Sequence, residues 1–148
     1  MKKILVTIAL LGFGFAAQAV EVGINGGRET ANTDRTTYGL TVGEKFGTMG
    51  VTAGFDAIRT GTHLDRWFVV GSYDVAKVGP VTLAAKAGAA YVDQKDATDG
   101  YAFLVGAGAE YPLTKSLALT ADYRYQAGQS RINNLNGSTV TAGLKLAF

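Results

Sequence analysis

Residues 139–148, TVTAGLKLAF, decide the fold. Val140, Leu144, Leu146 and Phe148 fall on one side of a period-two pattern, while Thr139, Thr141, Gly143 and Lys145 fall on the other. A repeat of two gives a strand with two unlike faces, whereas a helix would repeat near 3.6. The aromatic side chain of Phe148 belongs to the same face as the leucines.

The opposite end reads differently. MKKILVTIALLGFGFAAQA, residues 1–19, has a basic start at Lys2 and Lys3, an apolar run and a small-residue site at Ala17-Gln18-Ala19. That order is expected of a cleaved secretory signal peptide, and its apolar core is shorter than the roughly 20 residues a spanning helix needs. Two segments follow: a signal peptide over 1–19 and one domain over 20–148. The formal charge of +2, from 14 basic and 12 acidic side chains, falls to zero (12 against 12) once Lys2 and Lys3 leave. A neutral domain lacks the concentrated basic surface that nucleic-acid binding requires. No cysteine is present, so disulfides, common in small exported domains, do not staple the fold. After Val20 no apolar stretch is long enough for a transmembrane helix.

Alternation instead repeats along the whole domain. It predicts eight strands, over residues 20–28, 36–45, 51–59, 66–76, 80–92, 101–111, 116–126 and 138–148. Their connections alternate in length: KFGTM, KVGP and PLTK are tight, whereas RETANTDR, TGTHLD, DQKDATDG and AGQSRINNLNG are longer and polar. Short turns on one side and longer loops on the other are the pattern of an all-β, antiparallel, up-and-down transmembrane barrel.

A soluble barrel also alternates, with its apolar side chains inward, so the aromatic positions carry the distinction. Tyr38, Trp67, Tyr91, Tyr101, Tyr123 and Tyr125 lie toward the long-loop ends of their strands, and Phe46, Tyr73, Tyr111 and Phe148 toward the short-turn ends. Two girdles around an aliphatic band are what a bilayer with two interfaces selects. The other face carries five acids and five bases, Glu21, Lys45, Asp56, Arg66, Asp74, Lys86, Glu110, Asp122, Arg124 and Lys145, among many small residues. Eight strands leave an interior that side chains fill, and buried charges there must be paired. Hairpin geometry is expected to bring Asp56 to Arg66, and barrel closure to bring Glu21 to both Lys45 and Lys145. The expected result is a lumen plugged by ion pairs, with no room for bulk diffusion.

With its export signal, eight amphipathic strands and the terminal AGLKLAF, the chain resembles small outer-membrane barrels of the OmpA, OmpX and opacity-protein class. The resemblance implies a bacterial outer-membrane location among lipid and lipopolysaccharide. It also implies that Val140, Leu144, Leu146 and Phe148 form the signal read by the barrel-assembly machinery. Related barrels serve many roles, so function has to be argued from sites.

An enzyme is not expected. The sole histidine is His63; THLDR lacks the serine that barrels resembling lipid A deacylases place two residues later, and a conceivable triad of His63 and Asp65 with Ser130 or Ser138 is left open by the sequence. One histidine and no cysteine offer no transition-metal cluster, and Asp93, Asp96 and Asp99 lack an EF-hand spacing. No cofactor is expected.

The expected role is structural or interactive, either self-associating or bound to a larger envelope complex. A surface adhesin or receptor acting through the loops is the alternative. Two features serve these readings. Gly71, Ala85, Ala87, Ala89, Ala107 and Ala109 thin the apolar face into a candidate barrel-to-barrel contact, and Arg28, Arg35, Arg59 and Arg131 are candidate partners for lipopolysaccharide phosphates.

Overall fold

The computed structural model describes residues 20–30, 34–60, 62–94, 99–129 and 136–148. The expected signal peptide, Asp96, Ser130 and Arg131 lie outside them. Eight strands follow one another: β1 Val20–Thr30, β2 Asp34–Phe46, β3 Met49–Thr60, β4 Thr62–Val78, β5 Val81–Gln94, β6 Gly100–Pro112, β7 Leu117–Gly128 and β8 Gly137–Ala147. Each pairs antiparallel with its sequence neighbours, and β1 pairs with β8 from Glu21↔Ala147 to Thr30↔Ser138, closing the barrel. Just past the last strand, the Phe148 amide donates to the Val20 carbonyl at 2.9 Å.

The stagger of the barrel can be read from one row of partners. Starting at His63 on β4, the row passes through Arg59, Thr36, Arg28, Val140, Tyr123, Ala107 and Ala85, and returns to β4 at Tyr73, ten residues further along. A closed sheet needs such a shear, which tilts the strands by about 40° from the barrel axis. With strands about 4.8 Å apart, each step along a row then moves about 3 Å along the axis. Tyr38 and Phe46, eight residues apart on β2, are separated by about 20 Å along the axis, within the roughly 25 Å apolar band of such barrels.

The turns follow local chemistry. Gly47 and Gly79 take positive φ, 63° and 58°, which close the β2–β3 and β4–β5 hairpins with a backbone shape that glycine adopts at no steric cost. Thr114 closes the β6–β7 turn, its Oγ1 accepting from the Ser116 and Leu117 amides at 3.2 and 3.0 Å.

Several strands run further outward than the alternation predicts. β3 and β4 extend to Thr60 and from Thr62, so His63 and Asp65 lie on a strand rather than in a loop, and β1 extends through Glu29 to Thr30. Polar residues beyond the lipid band still pair as a sheet, because the ladder needs backbone groups and not apolar side chains.

The barrel is apolar outside and mixed inside. Outward side chains such as Leu40, Phe103 and Val140 are exposed on the isolated chain, the surface that a bilayer covers. The inside combines the charged groups with apolar side chains that the inward sequence pattern does not single out. Ile58, Leu64, Val92 and Ala102 cluster near the outer end of the lumen, with Phe68, Val70, Ala90 and Leu104 below them. Strands β3 to β6 thus present an apolar inner wall against which the charged groups pack.

Candidate functional site

Several of the most enclosed side chains in the barrel are charged. Arg66 on β4, Asp56 on β3 and Glu29 on β1 keep side-chain exposures of 1%, 0% and 3%, so bulk water does not reach them. Arg66 Nε and Nη2 donate to Asp56 Oδ2 at 3.1 and 2.8 Å, while Nη1 donates to Glu29 Oε2 at 2.6 Å and to Gln126 Oε1 at 3.0 Å. Thr139 Oγ1 donates to the same Glu29 oxygen at 3.1 Å. Arg124 Nη2 reaches Asp56 Oδ2 at 3.0 Å, and its guanidinium lies 4.6 Å from the centre of the Phe68 ring. Two guanidinium groups thus face two carboxylates. This neutral cluster offsets much of the desolvation that a single buried charge would suffer.

Glycines make the room. A Cβ on Gly54 would lie 2.3 Å from the tip of the Phe68 ring, and one on Gly39 would lie 2.3 Å from Asp56 Oδ1. Side chains larger than hydrogen at these two inward positions would displace the cluster.

Below it, toward the short turns, lies a cavity of about 120 Å³ lined by Lys45, Lys86, Lys145, Asp74, Asp122 and Glu110, among others. Lys45 pairs with Asp74 at 2.8 Å, Lys86 with Asp122, and Lys145 with Glu110 and, at 2.9 Å, with Glu21. These side chains keep 16–31% exposure, so water reaches them. The lumen is therefore divided: a buried arginine cluster occupies the outer part, and a lysine-lined vestibule occupies the inner part.

All ten charged residues that the sequence assigns to the inward face take part in these ion pairs, but two details differ from expectation. Lys45 pairs with Asp74 rather than with Glu21. Asp74 reaches Lys45 because Asp74 and the β2–β3 turn meet at the same rim, where its amide donates to the Thr48 carbonyl at 2.8 Å. Glu29 is a full member of the arginine cluster that sequence reasoning placed in a loop; carrying the alternation Glu21, Gly23, Asn25, Gly27 one step further would have found it.

The remaining candidates distribute as follows. The ten girdle aromatics all stand on outward positions of their strands or, for Phe148, just beyond one, joined there by Phe55 against Trp67 with ring centres 4.5 Å apart. Val140, Leu144 and Leu146 face outward beside β1. Gly71, Ala85, Ala87, Ala89, Ala107 and Ala109 form one outward patch across β4, β5 and β6, with Gly71 opposite Ala87 and Ala85 opposite Ala107. Arg28 and Arg59 face outward at the outer rim. Arg35 does not: it pairs in register with inward Glu29, so its strand parity turns it to the lumen and away from lipid.

The conceivable triad is not assembled among the described residues. His63 is exposed on β4, Asp65 is engaged by Arg59 at 3.0 Å, and Ser138 on β8 bonds the Tyr123 hydroxyl at 2.8 Å. Asp99 accepts from the Tyr91 hydroxyl at 2.7 Å, and no group of three or more metal-binding side chains occurs among the described residues.

Comparison with known proteins gives a consistent picture. The sequence model for Gram-negative porins matches residues 8–130. The N-terminal β-barrel domain of Pseudomonas aeruginosa OprF superposes with a TM-score of 0.75 at 18% identity, covering 89% of this chain and 98% of that one. Neisserial surface protein A gives 0.68 at 15%, covering 88% and 96%. Yersinia pestis Ail, the attachment invasion locus protein, in complex with the heparin analogue sucrose octasulfate, gives 0.59 at 16%, covering 88% and 97%. Among curated proteins no sequence match is found. At these identities the likenesses speak for the fold.

Proposed function

The chain belongs to the Gram-negative porin family, and from that premise we propose that it is a non-enzymatic barrel of the bacterial outer membrane whose plugged lumen does not conduct. It acts through its outer surfaces, as a structural or protein-interaction element of the envelope. The observation that supports this reading is the cluster of Arg66, Asp56, Glu29 and Arg124, which fills the outer lumen with paired charges whose separation would leave buried ions unpaired. Planar-bilayer recording of the purified protein tests it. No sustained single-channel steps are expected, and a stable open conductance in the unmodified protein would overturn the closed-lumen reading.

Contacts with other envelope proteins would use the outward patch around Ala87 and Ala107, where small side chains let another membrane surface approach closely. Leucine at both positions is expected to weaken a self-associated or larger complex while leaving a folded barrel. During biogenesis β8 would be the strand presented to the barrel-assembly machinery. A second reading, a surface adhesin, draws on the likeness to Ail, which its structure shows with a sulfated ligand; loss of cell binding after loop exchange would separate it from the first.

A further inference from the structure

Among the described residues, the outward face of the barrel is almost free of basic side chains. Among its described strand residues only Arg28 and Arg59 are lysine or arginine, and no cation stands on the outward positions of β5 to β8. The two arginines are not scattered. They belong to one hydrogen-bonded row, on either side of Thr36. Two strand spacings place their Cα atoms about 10 Å apart, and the tilt of the row puts Arg59 about 6 Å further out than Arg28.

Their height locates them at the outer interface. Arg28 lies two residues outward of Gly26, the partner of Tyr38, so it begins just above the outer aromatic girdle. An arginine there can carry its guanidinium into the headgroup layer at little cost, whereas the same residue at mid-membrane would cost about 2–4 kcal/mol. Arg28 is exposed. Arg59 is held upright by donating from Nη1 to the carbonyls of Ile58 and Leu64 at 3.1 and 3.2 Å and to Asp65 at 3.0 Å. That ion pair is partly solvent-exposed, with side-chain exposures of 39% and 43%, and pairs of this kind contribute little and exchange partners readily. The outward acids near the row, Asp34 and Asp65, stand further out than Arg28 and on the solvent side of the girdle.

We propose that Arg28 and Arg59 form a phosphate-binding contact for outer-leaflet lipid, confined to the β1–β3 sector, with the guanidinium forks taking lipid phosphates at two depths. Among the described residues of the opposite rim, Tyr91, Tyr101, Phe103 and Tyr125 meet the same leaflet with no outward cation beside them. Phosphate suits this row because a forked guanidinium binds it with two parallel charge-assisted hydrogen bonds. The proposal does not depend on the lumen being closed.

The test is native mass spectrometry of the full chain from vesicles of phosphatidylcholine doped with diphosphorylated or dephosphorylated lipid A, with Arg28→Gln/Arg59→Gln and Arg28→Lys/Arg59→Lys variants alongside. Heat-modified gel mobility confirms that each variant is folded. The unmodified chain is expected to retain the phosphorylated lipid, the glutamine variant to retain at least about tenfold less, and the lysine variant to fall between them. Equal retention of both lipids, or no change in the glutamine variant, overturns the proposal. A third arm offers a soluble sulfated polysaccharide to the chain in phosphatidylcholine alone. Binding there with the same arginine dependence, without lipid retention, would reassign the row to a soluble polyanion.

Discussion

Glu29 and Arg66 stand 37 positions apart in sequence and 2.6 Å apart in the lumen. Their contact joins β1 to β4 across the interior, where no backbone ladder connects the two strands. Removing the Glu29 carboxylate leaves the two buried guanidinium groups of Arg66 and Arg124 sharing Asp56 alone, with one positive charge unbalanced. Glu29→Gln is therefore expected to lower the unfolding free energy by about 3 kcal/mol, the cost of breaking a buried pair. Urea unfolding in lipid vesicles, followed by tryptophan emission, checks it; a midpoint equal to that of the unmodified chain would remove Glu29 from the cluster.

The Phe68 ring sits where Gly54 has no side chain. Gly54→Val should cost about 1–3 kcal/mol through overpacking. Combining it with Phe68→Ala should recover part of that loss, because the valine then enters space the ring has left. A double-mutant cycle with strictly additive penalties would show that the two positions do not share this space.

The divided lumen predicts unequal chemical access. The chain has no cysteine, so a single introduced thiol reports without background. Ser72 lines the vestibule, whereas Thr37 is fully buried beside the arginine cluster. Ser72→Cys should react rapidly with a water-soluble thiol reagent in the folded barrel and Thr37→Cys slowly, with the difference disappearing in urea. Similar rates in the folded state would mean that water passes the cluster.

Trp67 is the only tryptophan and faces outward beside Phe55 near the outer girdle. Its fluorescence in vesicles should be quenched more strongly by lipids brominated close to the headgroup than by lipids brominated near the chain ends. Stronger quenching from the bilayer centre would place the barrel at another depth.

Some of this architecture is encoded locally. Asp56 and Arg66 lie symmetrically about position 61, so counting along β3 and β4 alone puts them opposite one another. Lys45 and Asp74 share no hairpin; their meeting follows from the rim at which the β2–β3 turn contacts β4. Glu29 escaped sequence reading because the boundary of a strand is poorly marked where apolar residues give way to polar ones. The inward apolar wall of Phe68, Val70 and Leu104 was hidden for a related reason: each adjoins an outward Trp or Val in sequence, and the run appears uniformly apolar. Arg35 shows the converse, since one residue of phase decides whether an arginine meets lipid or lumen.

The ten-residue return of the row from His63 to Tyr73 makes the barrel a screw thread. A slip of one residue between any two strands would swap greasy and charged faces and is excluded outright. A slip of two keeps every face correct, and lipid alone would not oppose it. Such a slip would draw Glu29 or Asp56 about 7 Å along its strand from Arg66. The buried charges thus act as locating pins, choosing one pitch among those that the bilayer would tolerate.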